Sequence, residues 1–243
     1  MENLIKKEIK RFEKNPELFV NIVAMDIDEF DSYGLRYTTD DNREFYFADN
    51  HADILAVAHL DTVQQTQQFS YNKEEGLIYC SVLDDRLGAY IILEHLRKEL
   101  KYDILLTVDE EQGKSTARSF NPGKKYKWMF SFDRKGTDVV LYQYETPALI
   151  KELSKYGFII GKGNYSDIRE LEHLGCKGFN IGTGYYNGHF EEGYAKINET
   201  AKNIVKFRNF YNANAGRHFR HKAKRKLNPG SATSTADTCE ITK

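Results

Sequence analysis

Three short apolar runs, each followed directly by a histidine or an acidic residue, constrain the fold of this chain most. The runs are 54–58, which ends before His59, 104–108, which ends before Asp109-Glu110-Glu111, and 128–132, which ends before Asp133. Runs that are apolar throughout, rather than alternating, are typical of strands covered on both faces. Helical patterns lie between or after the runs, at 86–99, 147–156, 166–173 and 196–211. Strands mixed with helices predict an α/β layer architecture.

The start of the chain predicts two further elements. Leu4, Ile5, Ile9 and Phe12 recur at helical spacing, which predicts an amphipathic helix at 3–13. Segments 33–38 and 43–48 contain Tyr, Phe and Thr on either side of a turn-prone Asp-Asp-Asn sequence, and we interpret them as a β-hairpin.

The 243 residues are enough for one sizeable domain. We place this domain at 1–213, because the composition changes beyond it: 218–226 is basic, and 228–238 is rich in Ser, Thr, Ala, Pro and Gly. A segment of this kind buries little apolar surface, so we predict that the tail 214–243 is disordered. Its basic stretch is either a solvated tail or a contact for a polyanion such as nucleic acid.

Composition and charge limit the classes of function. The formal net charge of −1 gives no whole-protein attraction to nucleic acid or to an anionic membrane. No apolar run approaches the ~20 residues that span a bilayer, and the N-terminus lacks the apolar core of a signal peptide, so we expect a cytoplasmic protein. The widely spaced Cys80, Cys176 and Cys239 suggest reduced thiols rather than disulfides. Any metal would therefore be bound by histidines and carboxylates.

His59 and Asp61 form an H-x-D sequence at the end of the first apolar run. Ligands of open α/β sheets bind beyond the carboxyl ends of the strands, which is where we expect these residues. The imidazole of His59 can bind a metal through one nitrogen, and Asp61 can accept the other N–H and fix the tautomer. The alternative is a chance pair, since H-x-D occurs in many sequences.

Paired acids follow in two places. Asp84 can bridge two cations with its two oxygens while Asp85 lies near the start of helix 86–99, and simple helix capping is the alternative. Glu110 and Glu111 close an apolar run, where carboxylates are costly unless cations or hydrogen bonds compensate them. One of the two can bind metal and the other can take a proton from a metal-bound water, unless the pair lies in an exposed loop.

The complete set of residues carries the metal prediction, because a lone aspartate or histidine at such a position is more often structural. Five segments in order supply imidazole or carboxylate ligands, namely His59, Asp84, Glu110 or Glu111, Asp133 and His189. Zinc accepts this mixture of ligands. Without thiolates, manganese and cobalt stay open as well.

These segments, in this order, resemble the co-catalytic di-zinc exopeptidase superfamily, which includes peptidase T, glutamate carboxypeptidases and bacterial aminopeptidases. The matching segments are 58–63 (AHLDTV), 84–88 (DDRLG), 109–113 (DEEQG), 163–167 (GNYSD) and 187–192 (NGHFEE). The match runs from 54 to 211. Each motif is loose by itself, but five motifs in order make a specific signal.

The resemblance implies a three-layer α/β/α sandwich around a mixed, largely parallel β-sheet. It also implies a role for each matching residue. One zinc ion takes His59 and Asp133, a second takes Glu111 and His189, Asp84 bridges the two, Asp61 orients His59, and Glu110 is the general base. The peptide bond between Asp84 and Asp85 is expected to be cis.

The activity that the resemblance implies is hydrolysis of amide bonds in small peptides. Many relatives carry a lid domain before the Gly-rich segment, but the interval from Asp133 to Gly161 is too short for one, which favours the compact aminopeptidase-like members. Two alternatives stay open. One is a non-peptide amidase, such as an N-deacylase, with the same metal centre, and the other is a binding protein on a retired hydrolase fold.

Overall fold

A seven-stranded mixed sheet lies at the centre of the computed structural model, which describes residues 1–65 and 68–222. The strands are β1 Leu35–Thr38, β2 Glu44–Ala48, β3 Ile54–His59, β4 Phe69–Asn72, β5 Leu77–Cys80, β6 Asp103–Thr107, β7 Trp128–Arg134, β8 Val139–Val140, β9 Gly178–Gly182, β10 Tyr185–Tyr186 and β11 Tyr194–Lys196. The central sheet has the order β1-β2-β6-β3-β7-β9-β8. Its four inner strands β6, β3, β7 and β9 are parallel, and the remaining pairs are antiparallel. The sheet is therefore mixed and largely parallel, as predicted.

Both faces of the inner strands are covered, which explains their uninterrupted apolar sequence. Every residue of β3 and of β6 is buried, and so are the first five residues of β7. A strand with one solvated face would alternate apolar and polar residues. The predicted runs 54–58, 104–108 and 128–132 are these three strands.

Helices cover the two faces of the sheet unequally. They are α1 Glu2–Lys14, α2 Pro16–Ala24, α3 Leu83–Tyr90, α4 Pro147–Ser154, α5 Asp167–Glu170 and α6 Ile197–Asn214. On the face of α1, α3 and α6, Phe130 of β7 packs on Phe207 of α6 with 4.4 Å between ring centroids. The opposite face has a thinner layer of short helical turns, where Phe120 and Ile168 pack with Leu55 of β3. The predicted three-layer α/β/α sandwich is confirmed, with one thin outer layer.

Two of the predicted helices differ from the observed ones in type rather than in place. The predicted helix 86–99 is α3 followed by a π-helical segment, Ile91–Leu96. The predicted helix 166–173 is the short α5 followed by a 3-10 turn, Glu172–Leu174, which ends at Gly175 with a left-handed φ of 70°. Within residues 1–65 and 68–222, no helix is long and apolar enough to cross a membrane.

A second sheet of four antiparallel strands, in the order β10-β11-β5-β4, was not predicted. Its strands have only two to four residues each, too few to show a periodic pattern in the sequence. We call it the small sheet. The segment that joins β10 to β11 carries His189, so the small sheet positions one of the predicted metal ligands.

The packed part of the chain extends further than the predicted boundary at 213. Helix α6 continues to Asn214, and Phe219 then joins two segments by accepting from Lys177 N at 2.7 Å and donating to Lys127 O at 2.9 Å. Residues 214–222 therefore belong to the packed structure, because Phe219 supplies an apolar anchor among basic neighbours. The rest of the predicted tail, 223–243, lies outside the described residues, and the division into one domain and a tail stays a prediction.

The interval between Asp133 and Gly161 contains no separate domain. It forms β8, a 3-10 turn at Tyr142–Tyr144 and α4, which is held to the body by buried Leu149 and Leu153. This agrees with the expectation that the interval is too short for a lid.

Candidate metal centre

The carboxyl ends of three neighbouring parallel strands bring most of the predicted site residues together. His59 is the last residue of β3, and Asp133 lies next to the end of β7. Glu110 and Glu111 follow β6 after a turn in which Asp109 adopts a φ of 62°. This edge is where ligands bind in open α/β sheets.

Asp84 lies between two histidines from distant parts of the chain. Its Oδ1 is 3.4 Å from His59 Nε2, and its Oδ2 is 3.2 Å from His189 Nε2. Each histidine also faces a second carboxylate: Asp133 Oδ1 is 3.4 Å from His59 Nε2, and Glu111 Oε2 is 3.0 Å from His189 Nε2. The five predicted ligands thus form two half-sites that share Asp84. We call them the His59 half-site, with Asp133, and the His189 half-site, with Glu111.

The segment around Asp84 has the local geometry that the resemblance implied. The peptide bond between Asp84 and Asp85 is cis, and both residues have non-helical φ and ψ, so the regular part of α3 begins after them. Asp85 Oδ1 accepts a hydrogen bond from Gly88 N at 3.1 Å, as expected near a helix start. Gly88 allows the close approach of α3 to β7, since a Cβ there would lie 2.4 Å from Phe132 O.

Asp61 contacts the site differently from the prediction. The closer acceptor for His59 Nδ1 is the main-chain oxygen of Asp61, at 2.9 Å, whereas the carboxylate Oδ1 is 3.5 Å away. The carboxylate instead accepts from the main-chain nitrogens of Glu110 and Glu111, at 3.3 and 3.1 Å. Asp61 therefore orients His59 through its backbone and the two glutamates through its side chain.

Ser166 and Asn180 hold Asp133, and the sequence analysis missed this role. Asp133 Oδ2 accepts from Ser166 Oγ at 2.9 Å and from Asn180 Nδ2 at 3.0 Å, while Asn180 Oδ1 accepts from Asp133 N at 2.9 Å. These bonds leave Oδ1 directed at His59. Ser166 belongs to the matched segment 163–167, whereas the only available signal for Asn180 was one polar residue within an apolar strand.

Burial among other acids changes the ionisation of the site. Burial, and after it the nearby Asp133 and Asp84, raise the pKa of Glu110 to about 9. Burial and the charge of Asp84 raise the pKa of Glu111 to about 7. Burial would lower the pKa of His59, but its interactions with the surrounding carboxylates hold that pKa well above the usual value. Burial therefore favours the protonated form of both glutamates, and the neighbouring carboxylates add to this effect.

The side chains fit a bound cation. Among the described residues, Glu111 Oε1 and Asp85 Oδ2 are buried without a hydrogen-bond partner, and such atoms are costly unless something else compensates them. One ligand atom from each of His59, Asp84 and Glu111 lie within 4.8 Å of one another. Imidazole and carboxylate ligands suit zinc, and manganese and cobalt also accept them.

Comparisons with known proteins give matches in structure but not in sequence. No family model matches the chain, and no curated protein matches it. A tripeptidase from Staphylococcus aureus superimposes with a TM-score of 0.61 at 12% identity, over 82% of this chain and 97% of that one. The aminopeptidase PepT from Bacillus cereus gives 0.59 at 12% identity, over 80% and 97%. A TET aminopeptidase from a marine sediment archaeon, Thaumarchaeota archaeon, gives 0.54 at 12% identity, over 80% and 95%.

Because the sequence identity is only 12%, these structural matches establish the fold and nothing further. Each superposition covers nearly the whole of the matched chain, so the similarity extends over the complete sandwich and is not limited to one βαβ unit. The protein therefore has the same fold as these tripeptidase and aminopeptidase structures.

Proposed function

We propose that the protein is a di-zinc hydrolase that removes residues from the amino termini of small peptides. One observation carries the proposal: the two oxygens of Asp84 face two different histidines, each of which also faces its own second carboxylate. This is the ligand pattern required to hold two cations side by side. The fold, which the chain shares with proteins described as aminopeptidases and a tripeptidase, supports the peptide substrate.

In this proposal each half-site holds one ion. His59 and Asp133 bind the first, His189 and Glu111 bind the second, and Asp84 binds both. When bound, two zinc ions polarise a scissile carbonyl and lower the pKa of a water molecule. Manganese or cobalt would supply the same chemistry with these ligands.

Glu110 is the proposed general base. Its Oε2 lies 3.8 Å from His59 Nε2, at the boundary of the ligand cluster, and Asp61 fixes its backbone. Its carboxylate accepts a proton from the attacking water and passes that proton to the leaving amine. Nearby cations favour the ionised carboxylate, which offsets the burial that raises the pKa of Glu110 in the metal-free protein.

The first experiment is elemental analysis of the protein purified without a metal-binding tag, beside a His59→Ala/His189→Ala double variant. We expect near two zinc ions per wild-type chain and none in the variant. A wild-type protein that takes up no zinc, even after zinc is added back, would contradict the di-zinc proposal.

The second experiment compares aminoacyl-p-nitroanilides and short peptides with N-acyl amino acids as substrates of the zinc-loaded protein. We expect release of the amino-terminal residue and no deacylation. Hydrolysis of N-acyl amino acids alone would identify an N-deacylase. No hydrolysis of either class, with both ions bound, would favour the retired binding protein.

A further inference from the structure

A tyrosine of the small sheet contacts the carboxylate that the two half-sites share. Tyr185 is 4% exposed, and its hydroxyl donates a hydrogen bond to Asp84 Oδ2 at 2.6 Å. Oδ2 is the oxygen that faces His189, whereas Oδ1 faces His59. The hydroxyl therefore contacts Asp84 on the side of the His189 half-site only.

The backbone fixes Tyr185 in this position. Tyr185 pairs with Ala195 in the small sheet, and its carbonyl oxygen accepts from Gly136 N at 2.9 Å. Gly188 leaves the space that the contact needs, because a Cβ at Gly188 would lie 2.8 Å from Tyr185 Cε2 and 3.3 Å from Asp84 Oδ2. The sheet, the loop and the carboxylate thus meet at one point.

We propose that Tyr185 is a positioning residue of the metal centre, which holds Asp84 so that its two oxygens point into different half-sites. This inference rests on the proposed function. A carboxylate turns readily about its terminal torsion, and a donor on one oxygen limits that motion. Because the bond is made on Oδ2, its loss affects the second ligand of the His189 half-site more than the His59 half-site.

A purely structural role would give a different result. A buried tyrosine hydroxyl needs a hydrogen-bond partner, and in a purely structural role Asp84 would do no more than supply that partner. Removal of the hydroxyl would then change the free energy of unfolding and leave metal affinity unaltered. The two roles are therefore separated by metal binding and not by stability.

The test is a zinc titration of the metal-free full chain in competition with a chelator of known zinc affinity. Tyr185→Phe removes the hydroxyl and keeps the ring. We expect the affinity for one of two ions to fall by about 10–100-fold, the range for partners that orient metal ligands, with a smaller loss for the other ion. Tyr186→Phe is the matched control, because its hydroxyl donates to Glu199 Oε2 at 2.6 Å and not to a ligand.

A second variant tests the same contact from the loop. Gly188→Ala pushes Tyr185 and Asp84 apart, so we expect it to weaken the same ion. Gly216→Ala is its control, since a Cβ at Gly216 has no neighbour within 4 Å. Circular dichroism of each variant establishes that the chain is folded.

The outcomes distinguish this inference from the proposed function. If Tyr185→Phe binds two ions with the same affinities as the wild type, the positioning role alone is overturned. An equal loss at both ions would also overturn it, because the proposed effect is larger at the His189 half-site. A wild-type protein without zinc would overturn the proposed function and the inference with it.

Discussion

The two half-sites share a carboxylate but differ in what supports them. His59 ends a central strand and its side chain is 1% exposed, whereas His189 lies in a loop of the small sheet and its side chain is 49% exposed. His189 also has a left-handed φ of 71°, which is uncommon for a residue other than glycine. Similar ligands are thus held by a buried strand on one side and by a surface loop on the other.

The difference extends to the groups behind the ligands. In the His59 half-site, Ser166 and Asn180 fix Asp133, and the main-chain oxygen of Asp61 fixes the imidazole. The His189 loop is held by a half-buried side chain at the surface, since Gln64 Nε2 donates to His189 O at 2.8 Å. Because preorganised ligands bind metal more tightly, we expect a tight His59 half-site and an exchangeable His189 half-site.

The largest effect is expected at Glu110, which lies on the side of the His59 half-site. Glu110→Gln removes the proton acceptor but keeps the size of the side chain. We expect kcat to fall by about 10²–10⁴-fold, with both ions still bound. Steady-state kinetics together with elemental analysis measures the two effects. Near-normal turnover in this variant would remove Glu110 from the mechanism.

The next largest effect concerns the stability of the metal-free protein. His59→Ala removes a buried imidazole that faces Asp84 and Asp133, and loss of one partner in a buried charged group costs about 3–5 kcal/mol. His189→Ala removes a half-exposed side chain, for which we expect about 1 kcal/mol or less. Urea denaturation of the two variants compares these values. Equal losses would show that the half-sites are equally embedded.

Metal affinity is expected to separate the half-sites by a smaller factor. Asn180→Ala removes one of the two side-chain hydrogen bonds to Asp133 Oδ2 and should weaken the tighter ion by about 10–100-fold. Gln64→Ala should change only the weaker ion, and by less, because it removes one exposed contact. Chelator competition measures both. A loss of the weaker ion in Asn180→Ala would reverse our assignment of the tight half-site.

The pH dependence of stability is also expected to differ between the two glutamates. The pKa of Glu110 is raised by burial from 4.5 to about 9, and that of Glu111 to about 7. Between 4.5 and these values the folded, metal-free protein keeps protons that the unfolded chain has released, so stability is lost as pH rises. Glu111→Gln should remove the part of this loss that ends near pH 7, whereas Glu110→Gln should remove the part that continues to about pH 9. Denaturation across pH 5–9 in metal-free buffer tests the order. A variant whose stability depends on pH as in wild type would contradict its assignment.

The same contrast explains what the sequence could predict. His59 and Asp133 lie at the ends of strands, and Glu111 follows one. These strands are uninterrupted apolar runs, because burial on both faces leaves no polar position, and such runs can be recognised in the sequence. The small sheet has strands too short for a pattern, so neither it nor the contact of Tyr185 with Asp84 could be inferred. The helix α2 was also missed, because its nine residues are few and largely apolar and therefore give no clear helical pattern.

The residues that support the ligands were the least predictable part of the site. Asn180 and Asp133 are 47 residues apart and meet only because β7 and β9 are neighbours. The matched motifs predicted which side chains converge, and all seven predicted site residues lie within one cluster. Their catalytic and metal-binding roles stay predictions until metal binding and turnover are measured.

The segment around Phe219 and the candidate metal centre lie at opposite ends of the central strands. Lys127 and Lys177, to which Phe219 is hydrogen-bonded, precede β7 and β9. The segment therefore lies at the amino-terminal ends of these strands, and the candidate metal centre lies at the carboxyl ends of the sheet. A protein anchored to a solid support through exposed Lys222 would therefore present its metal centre toward the solution. The immobilised protein should accept small substrates as freely as the dissolved one, which makes this end the suitable place for labels and linkers.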